Sequence, residues 1–162
     1  MHCLEVWNEY LCSGSFDKTI RVWNENGDCV NILKEHTPSV ECTTVWNNQL
    51  CSGSADKSIR IWNREMKCVN LLQGHDSGVY SLRVWNNHLF SGDEEGKILI
   101  WNWTDKRCIS ILNQHTDRVT SMIVWNNRLY SAAWDETMLW TPSAWKPSTH
   151  SLFPSSARQQ VV

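Results

Sequence analysis

Short runs of β-branched, aliphatic and aromatic residues, each ended by a tryptophan or a polar turn, follow one another along the chain to about residue 140. The run Val40–Trp46 is rich in β-formers and predicts a strand. Asn47-Asn48 follows as a two-residue turn, because asparagine tolerates the positive φ that a tight hairpin needs. Gln49–Ser54 predicts a second strand, Ala55-Asp56-Lys57 a turn, Ser58–Trp62 a third strand and Cys68–Leu72 a fourth. These four segments form one antiparallel unit, and the same succession of runs and turns recurs before and after it.

The recurrence has a fixed period. Trp23, Trp62, Trp101 and Trp140 lie 39 residues apart, and Trp7, Trp46, Trp85 and Trp125 step by 39, 39 and 40. The unit Lys34–Asn63 returns as Gln73–Asn102 and as Asn113–Trp140, and Leu4–Asn24 is part of a preceding copy. A period near 40, with a histidine near the start and a tryptophan near the end of each unit, predicts four-stranded propeller blades whose first strand is innermost and whose fourth is outermost.

The repeated letters are a (G)H opening, an SGS-x-D turn and a closing I-x-[VI]-W-[DN]. With these the chain resembles the WD-repeat family over residues 1–140. Asn24, Asn63, Asn102 and Thr141 stand where the family usually has the Asp of "WD", and only Gly74 keeps the glycine before its histidine. The resemblance implies an all-β propeller segment of about four blades, near 1–33, 34–72, 73–112 and 113–140. Four blades of a family whose usual ring has seven form a partial ring. Such an arc is open to self-association or to completion by another chain or segment. Residues 141–162 hold three of the four prolines and five serines without strand alternation, and are expected to be a disordered tail.

Charge and cysteine content narrow the function classes. A net charge of −2, from 15 basic and 17 acidic residues, gives no electrostatic footprint for nucleic acid or an anionic membrane. No apolar run is long enough to cross a bilayer, and the first ten residues lack the pattern of a signal peptide. The seven cysteines fall in repeat columns: Cys3 with Cys42, Cys12 with Cys51, and Cys29 with Cys68 and Cys108. An odd number of thiols without a secretory signal predicts unpaired cysteines in the cytoplasm or nucleus. The Cys-x6-His spacing that recurs at Cys29/His36, Cys68/His75 and Cys108/His115 follows from the repeat itself, so no metal and no cofactor is expected.

The resemblance implies a hydrogen-bonded network of His, Ser, turn acid and Trp within each blade. By register the sets are His36, Ser52, Asp56 and Trp62; His75, Ser91, Glu95 and Trp101; and His115, Ser131, Asp135 and Trp140. The first copy has Ser13, Asp17 and Trp23 without a histidine. One residue is missing between Asp135 and Trp140, and Ala132-Ala133 replace Gly-Ser, which marks the fourth blade as the weak one. An Asp–His–Ser trio has the composition of a hydrolase triad, but catalysis does not need tandem copies, and the chain is read as a non-enzyme.

In WD-repeat propellers partners often bind the face carrying the inner-strand entries and the residue before the turn acid. Here those positions are His2, Ser39, Glu41, Gly78, Tyr80, Arg118 and Thr120, with Phe16, Ala55, Glu94 and Trp134 before the turn acid. They differ from blade to blade while the framework letters repeat, and Phe16, Tyr80 and Trp134 are expected to be exposed anchors. The short WNN hairpin and the SGS-x-D-K-[TS]-I-[RK] style resemble propellers of F-box substrate receptors, TRAF-type ubiquitin ligases and protist myosin heavy chain kinases. That implies a scaffold that docks a protein substrate or partner for a ubiquitin ligase or kinase. The alternative is a regulatory or assembly subunit of a trafficking or signalling complex, like a G-protein-β scaffold.

Overall fold

The computed structural model describes residues 2–135 and 137–140. The predicted tail at 141–162, including Trp145, lies outside the described residues. The chain forms β1 (Cys3–Trp7), β2 (Tyr10–Gly14), β3 (Ile20–Trp23), β4 (Cys29–Leu33), β5 (Val40–Trp46), β6 (Gln49–Ser54), β7 (Ser58–Trp62) and β8 (Cys68–Gln73). These are followed by β9 (Val79–Trp85), β10 (His88–Asp93), β11 (Lys97–Asn102), β12 (Cys108–Asn113), β13 (Val119–Trp125), β14 (Arg128–Ala133) and β15 (Thr137–Trp140). They build four antiparallel meanders in sequence order: β1–β4, β5–β8, β9–β12 and, among the described residues, β13–β15. The first strands adjoin one another, β1 against β5, β5 against β9 and β9 against β13, so the four sheets fan out from their inner strands as propeller blades.

The hairpins between first and second strands turn on Asn8-Glu9, Asn47-Asn48, Asn86-Asn87 and Asn126-Asn127. All eight residues have φ between +46° and +69°, the geometry of a type I′ turn, whose twist matches that of the flanking strands. The missing residue of the fourth blade does not shift its pairing. Trp140 faces Leu129 across β14 and β15 as Trp62 faces Leu50 across β6 and β7.

The core is divided into three layers, one in each junction between blades. The first layer packs Trp7, Cys12 and Val22 against Val40, Leu50 and Trp62. The second brings Trp46, Cys51 and Ile61 against Val79, Leu89 and Trp101. The third joins Trp85, Phe90 and Ile100 to Val119, Leu129 and Trp140. Each junction uses the same devices. An indole at the end of an inner strand donates to the hairpin of the next blade: Trp7 to Asn48 O (3.0 Å), Trp46 to Asn87 O (3.2 Å) and Trp85 to Asn127 Oδ1 (3.2 Å). A glycine on the second strand lets the next blade's inner strand approach closely. A Cβ at Gly14, Gly53 or Gly92 would stand 2.8, 2.7 or 2.6 Å from Cγ1 of Val40, Val79 or Val119.

The tryptophan columns accordingly supply the core, with one exception. Six of the eight in-phase indoles are buried and Trp23 is half-buried, but Trp125 is 62% exposed, because the face of β13 that it occupies meets no further blade among the described residues.

Candidate functional site

A network of His, Ser, Trp and an acid forms in three blades, in the second and fourth with the predicted acid. In the second, His36 Nδ1 lies 2.7 Å from Asp56 Oδ2, His36 Nε2 2.8 Å from Ser52 Oγ, and Trp62 Nε1 2.9 Å from the same hydroxyl. A single proton assignment satisfies every group. The indole donates to the Ser oxygen, the Ser hydroxyl donates to Nε2, and Nδ1–H donates to the carboxylate. Burial pushes the Asp56 carboxyl up, but hydrogen bonds from His36 and Ser58 outweigh it and hold the group well below the usual carboxylate range. The fourth blade repeats the pattern with His115–Asp135 at 2.8 Å, His115–Ser131 at 2.7 Å and Trp140–Ser131 at 2.8 Å, so its network is complete despite the shortened turn.

The third blade corrects the register assignment. His75 Nδ1 bonds Asp93 Oδ2 at 2.8 Å, while Glu95 is exposed and lies 3.7 Å from Lys97 Nζ. Asp93 ends β10 at the position held by Ser54 in the second blade, fully buried and already directed at the imidazole. Its second oxygen accepts from the amides of Glu95 (3.0 Å) and Lys97 (2.9 Å), so one carboxylate does what Ser54 and Asp56 share in the blade before. An acid in a serine column of the repeat was the available signal. In the first blade, which has no histidine, Asp17 binds Thr19 and Arg21 instead, and the Thr19 hydroxyl leads in drawing its carboxyl down to about 2.

These trios are not reaction centres. Ser52, Ser91 and Ser131 have no exposed surface, and each hydroxyl is already held by an imidazole and an indole. A nucleophile needs access to substrate and an oxyanion site, and a sealed serine has neither.

The non-repeated positions come together elsewhere. His2, Phe16, Glu41, Tyr80, Arg118, Thr120 and Trp134 line one open cavity of about 370 Å³ at the entries of the inner strands. The backbone brings the two sequence columns together: the amides of Ala55, Glu94 and Trp134 donate to the carbonyls of Ser39, Gly78 and Arg118. Side chains then cross the blade junctions. Arg118 of the fourth blade pairs with Glu94 of the third, with its guanidinium carbon 3.9 Å from the Tyr80 ring centre and 5.0 Å from that of Trp134. His2 of the first blade contacts Glu41 of the second at 3.0 Å and stacks on Phe16 at 5.8 Å.

Two of the expected contact residues serve in other ways. Ser39 is buried, and its hydroxyl donates to the Glu41 carboxylate, so it fixes Glu41 and does not itself face the cavity. Tyr80 is half-buried beneath Arg118, and that burial raises its phenol above the usual value. Phe16 and Trp134, 72% and 69% exposed, form the open aromatic rim. A second cluster forms around Trp103, an indole outside both repeat columns. Lys106 Nζ sits 3.2 Å from the ring centre of Trp103, which itself packs edge-on against Trp46 at 5.0 Å, and so Trp103 closes the junction of the second and third blades.

No curated protein matches the chain. Among solved structures it is similar to the WD40 β-propeller domain of Doa1, with a TM-score of 0.78 and 27% identity over 88% of this chain and 51% of that one. It is also similar to two computationally designed proteins at 25% identity over 86% of its length. These are Ika4, with a TM-score of 0.77 over 89% of that chain, and Ika8, with 0.76 over 45%. The chain thus spans about half the length of the Doa1 domain and of Ika8. The model of the WD domain, G-beta repeat, matches residues 3–24, 27–63 and 66–102, more than half the chain. With blades, junctions and His–Ser–Trp networks in place, the chain belongs to the WD-repeat family, whose propellers generally serve as protein-interaction scaffolds.

Proposed function

We propose that the chain docks a protein partner in the cavity over the inner-strand entries, as the recruiting surface of a ubiquitin ligase or kinase assembly, and has no chemistry of its own. One observation carries the reading: seven residues that escape the repeat, contributed by all four blades, line one cavity. Phe16 and Trp134 supply rigid apolar area of the type enriched at interface hot spots, and Glu41, Glu94 and Arg118 supply fixed polar partners. Arg118 is already engaged by Glu94, which disfavours a phosphopeptide that would need several free arginines. The hairpin and turn style favours ligase or kinase recruitment over a trafficking scaffold. Seven unpaired thiols suit the reducing cytoplasm or nucleus.

Proximity labelling followed by capture on the purified chain tests this, with wild type compared to Phe16→Ala and Trp134→Ala. Ubiquitin-ligase or kinase subunits should be enriched by wild type and lost by both variants at unchanged melting temperature. Enrichment of coat or G-protein subunits supports the regulatory alternative. Partners retained by both variants would remove the cavity from consideration.

A further inference from the structure

The charges in the cavity over the inner-strand entries are not equally satisfied. Among its described lining residues, Arg118 carries the one permanent positive charge and Glu41 the one negative charge. Arg118 is served from within the fold: Glu94 pairs with it, and its guanidinium lies over the rings of Tyr80 and Trp134. Glu41 has no such counter-ion. One blade earlier, the columns of Arg118 and Glu94 hold Gly78 and Ala55, which bring no charge across that junction. One Glu41 oxygen accepts from the Ser39 hydroxyl, and the other lies 3.0 Å from His2 Nδ1. A hydroxyl and a neutral imidazole orient a carboxylate without cancelling its charge. The Glu41 side chain is also only 8% exposed, so solvent ions screen it little. Beside this recessed carboxylate stand the open rings of Phe16 and Trp134, with the Tyr80 ring between blades.

We infer that the cavity takes a lysine or arginine side chain of the docked protein, with its cationic head at Glu41 and its stem against the aromatic rim. The inference rests on docking in this cavity and adds the chemistry by which the partner is recognised. Charge complementarity selects this occupant over the others. An apolar side chain closing the cavity strands the Glu41 charge away from water, which is costly when no partner compensates it. An anionic side chain is repelled by Glu41 and finds Arg118 already paired. A lysine or arginine meets both halves of the site. Its head makes a charge-assisted hydrogen bond to the carboxylate, and its methylene stem covers apolar surface while the ring faces attract the cation.

A random peptide library displayed on phage tests this, selected on the full chain at neutral pH and depleted on a Phe16→Ala/Trp134→Ala double variant, so that retained peptides use the cavity. They should share one lysine or arginine. Replacing that residue in a synthetic peptide by norleucine or citrulline removes the charge and keeps the stem. On wild type this should weaken binding about 10- to 100-fold, the worth of a hydrogen bond to a charged group. On Glu41→Gln, which keeps an acceptor for the Ser39 hydroxyl and should melt as wild type does, the same replacement should cost about 2- to 5-fold, because the ring contacts alone remain. Retained peptides without a shared cation, or tolerance of norleucine and citrulline on wild type, would overturn the inference while leaving the cavity as the docking site. An equal loss on wild type and Glu41→Gln would do the same. If selection retains nothing that the double variant fails to bind, the docking reading itself falls, and the inference with it.

Discussion

Replacing Asp93 should be far more damaging than replacing Glu95, although the repeat register puts Glu95 in the network. Asp93→Ala removes the acceptor of three donors, His75 Nδ1–H and the amides of Glu95 and Lys97, from a site with no exposed surface. Orphaning one buried donor costs about 1–3 kcal/mol. The two turn amides lie nearer the surface and regain water, so the imidazole dominates. With about 1 kcal/mol from each amide, the sum comes to roughly 3–5 kcal/mol. At about 2–4 °C per kcal/mol for a chain of this size, the melting temperature should fall by about 6–20 °C. Glu95→Ala loses one loose contact to Lys97 at 3.7 Å and should stay within about 0.5 kcal/mol. Urea unfolding followed by tryptophan fluorescence, with thermal circular dichroism alongside, reads both variants. Equal losses, or a larger one at Glu95, would refute the network as described.

Three further outcomes follow from the same geometry. The folded Asp56 carboxyl lies below its ordinary 3.8, so its contribution is complete above that value and is lost as pH falls through it towards the folded pKa. Asp56→Asn should therefore be less stable at pH 7 yet lose less between about pH 5 and 2 in urea melts; parallel pH profiles would contradict this. Gly53→Ala places a methyl 2.6 Å from Cys42 Sγ and 2.7 Å from Val79 Cγ1, and should cost about 1–3 kcal/mol by chemical denaturation; a neutral result would mean that the junction is looser than described. In thiol titration Cys29, which is exposed, should react in the native state. Buried Cys12, pushed by burial up to about 12, and buried Cys42 and Cys51, also raised, should wait for denaturant; fewer than seven thiols after unfolding would indicate a disulfide.

The blade was legible because its determinants are local. The strands Val40–Trp46, Gln49–Ser54 and Ser58–Trp62 begin and end where the tryptophans and the Asn-Asn and Asp-Lys turns place them. Cys68–Gln73 runs one residue past the expected Leu72. The cavity residues were also visible, as the letters that change while the frame repeats. Relations that depend on reach across the fold were not. Asp93 takes the imidazole because it lies closer to His75 than the turn tip does, and Tyr80 is covered because Arg118 of the following blade folds over it. Trp125 occupies the same column as Trp46 and differs in burial only through what lies beside it.

The wiring of the junctions bears on how such a chain can change over generations. Every indole-to-hairpin bond spans 41 or 42 residues, so each unit is tied to the one that follows it and to none farther away. Duplication or loss of one whole unit leaves every surviving bond with its proper partner, whereas gain or loss of a few residues inside a strand moves half its side chains to the wrong face. Lineages should accordingly vary in steps of about 39 residues, with small insertions tolerated only at turns, as the shortened link ahead of β15 already illustrates.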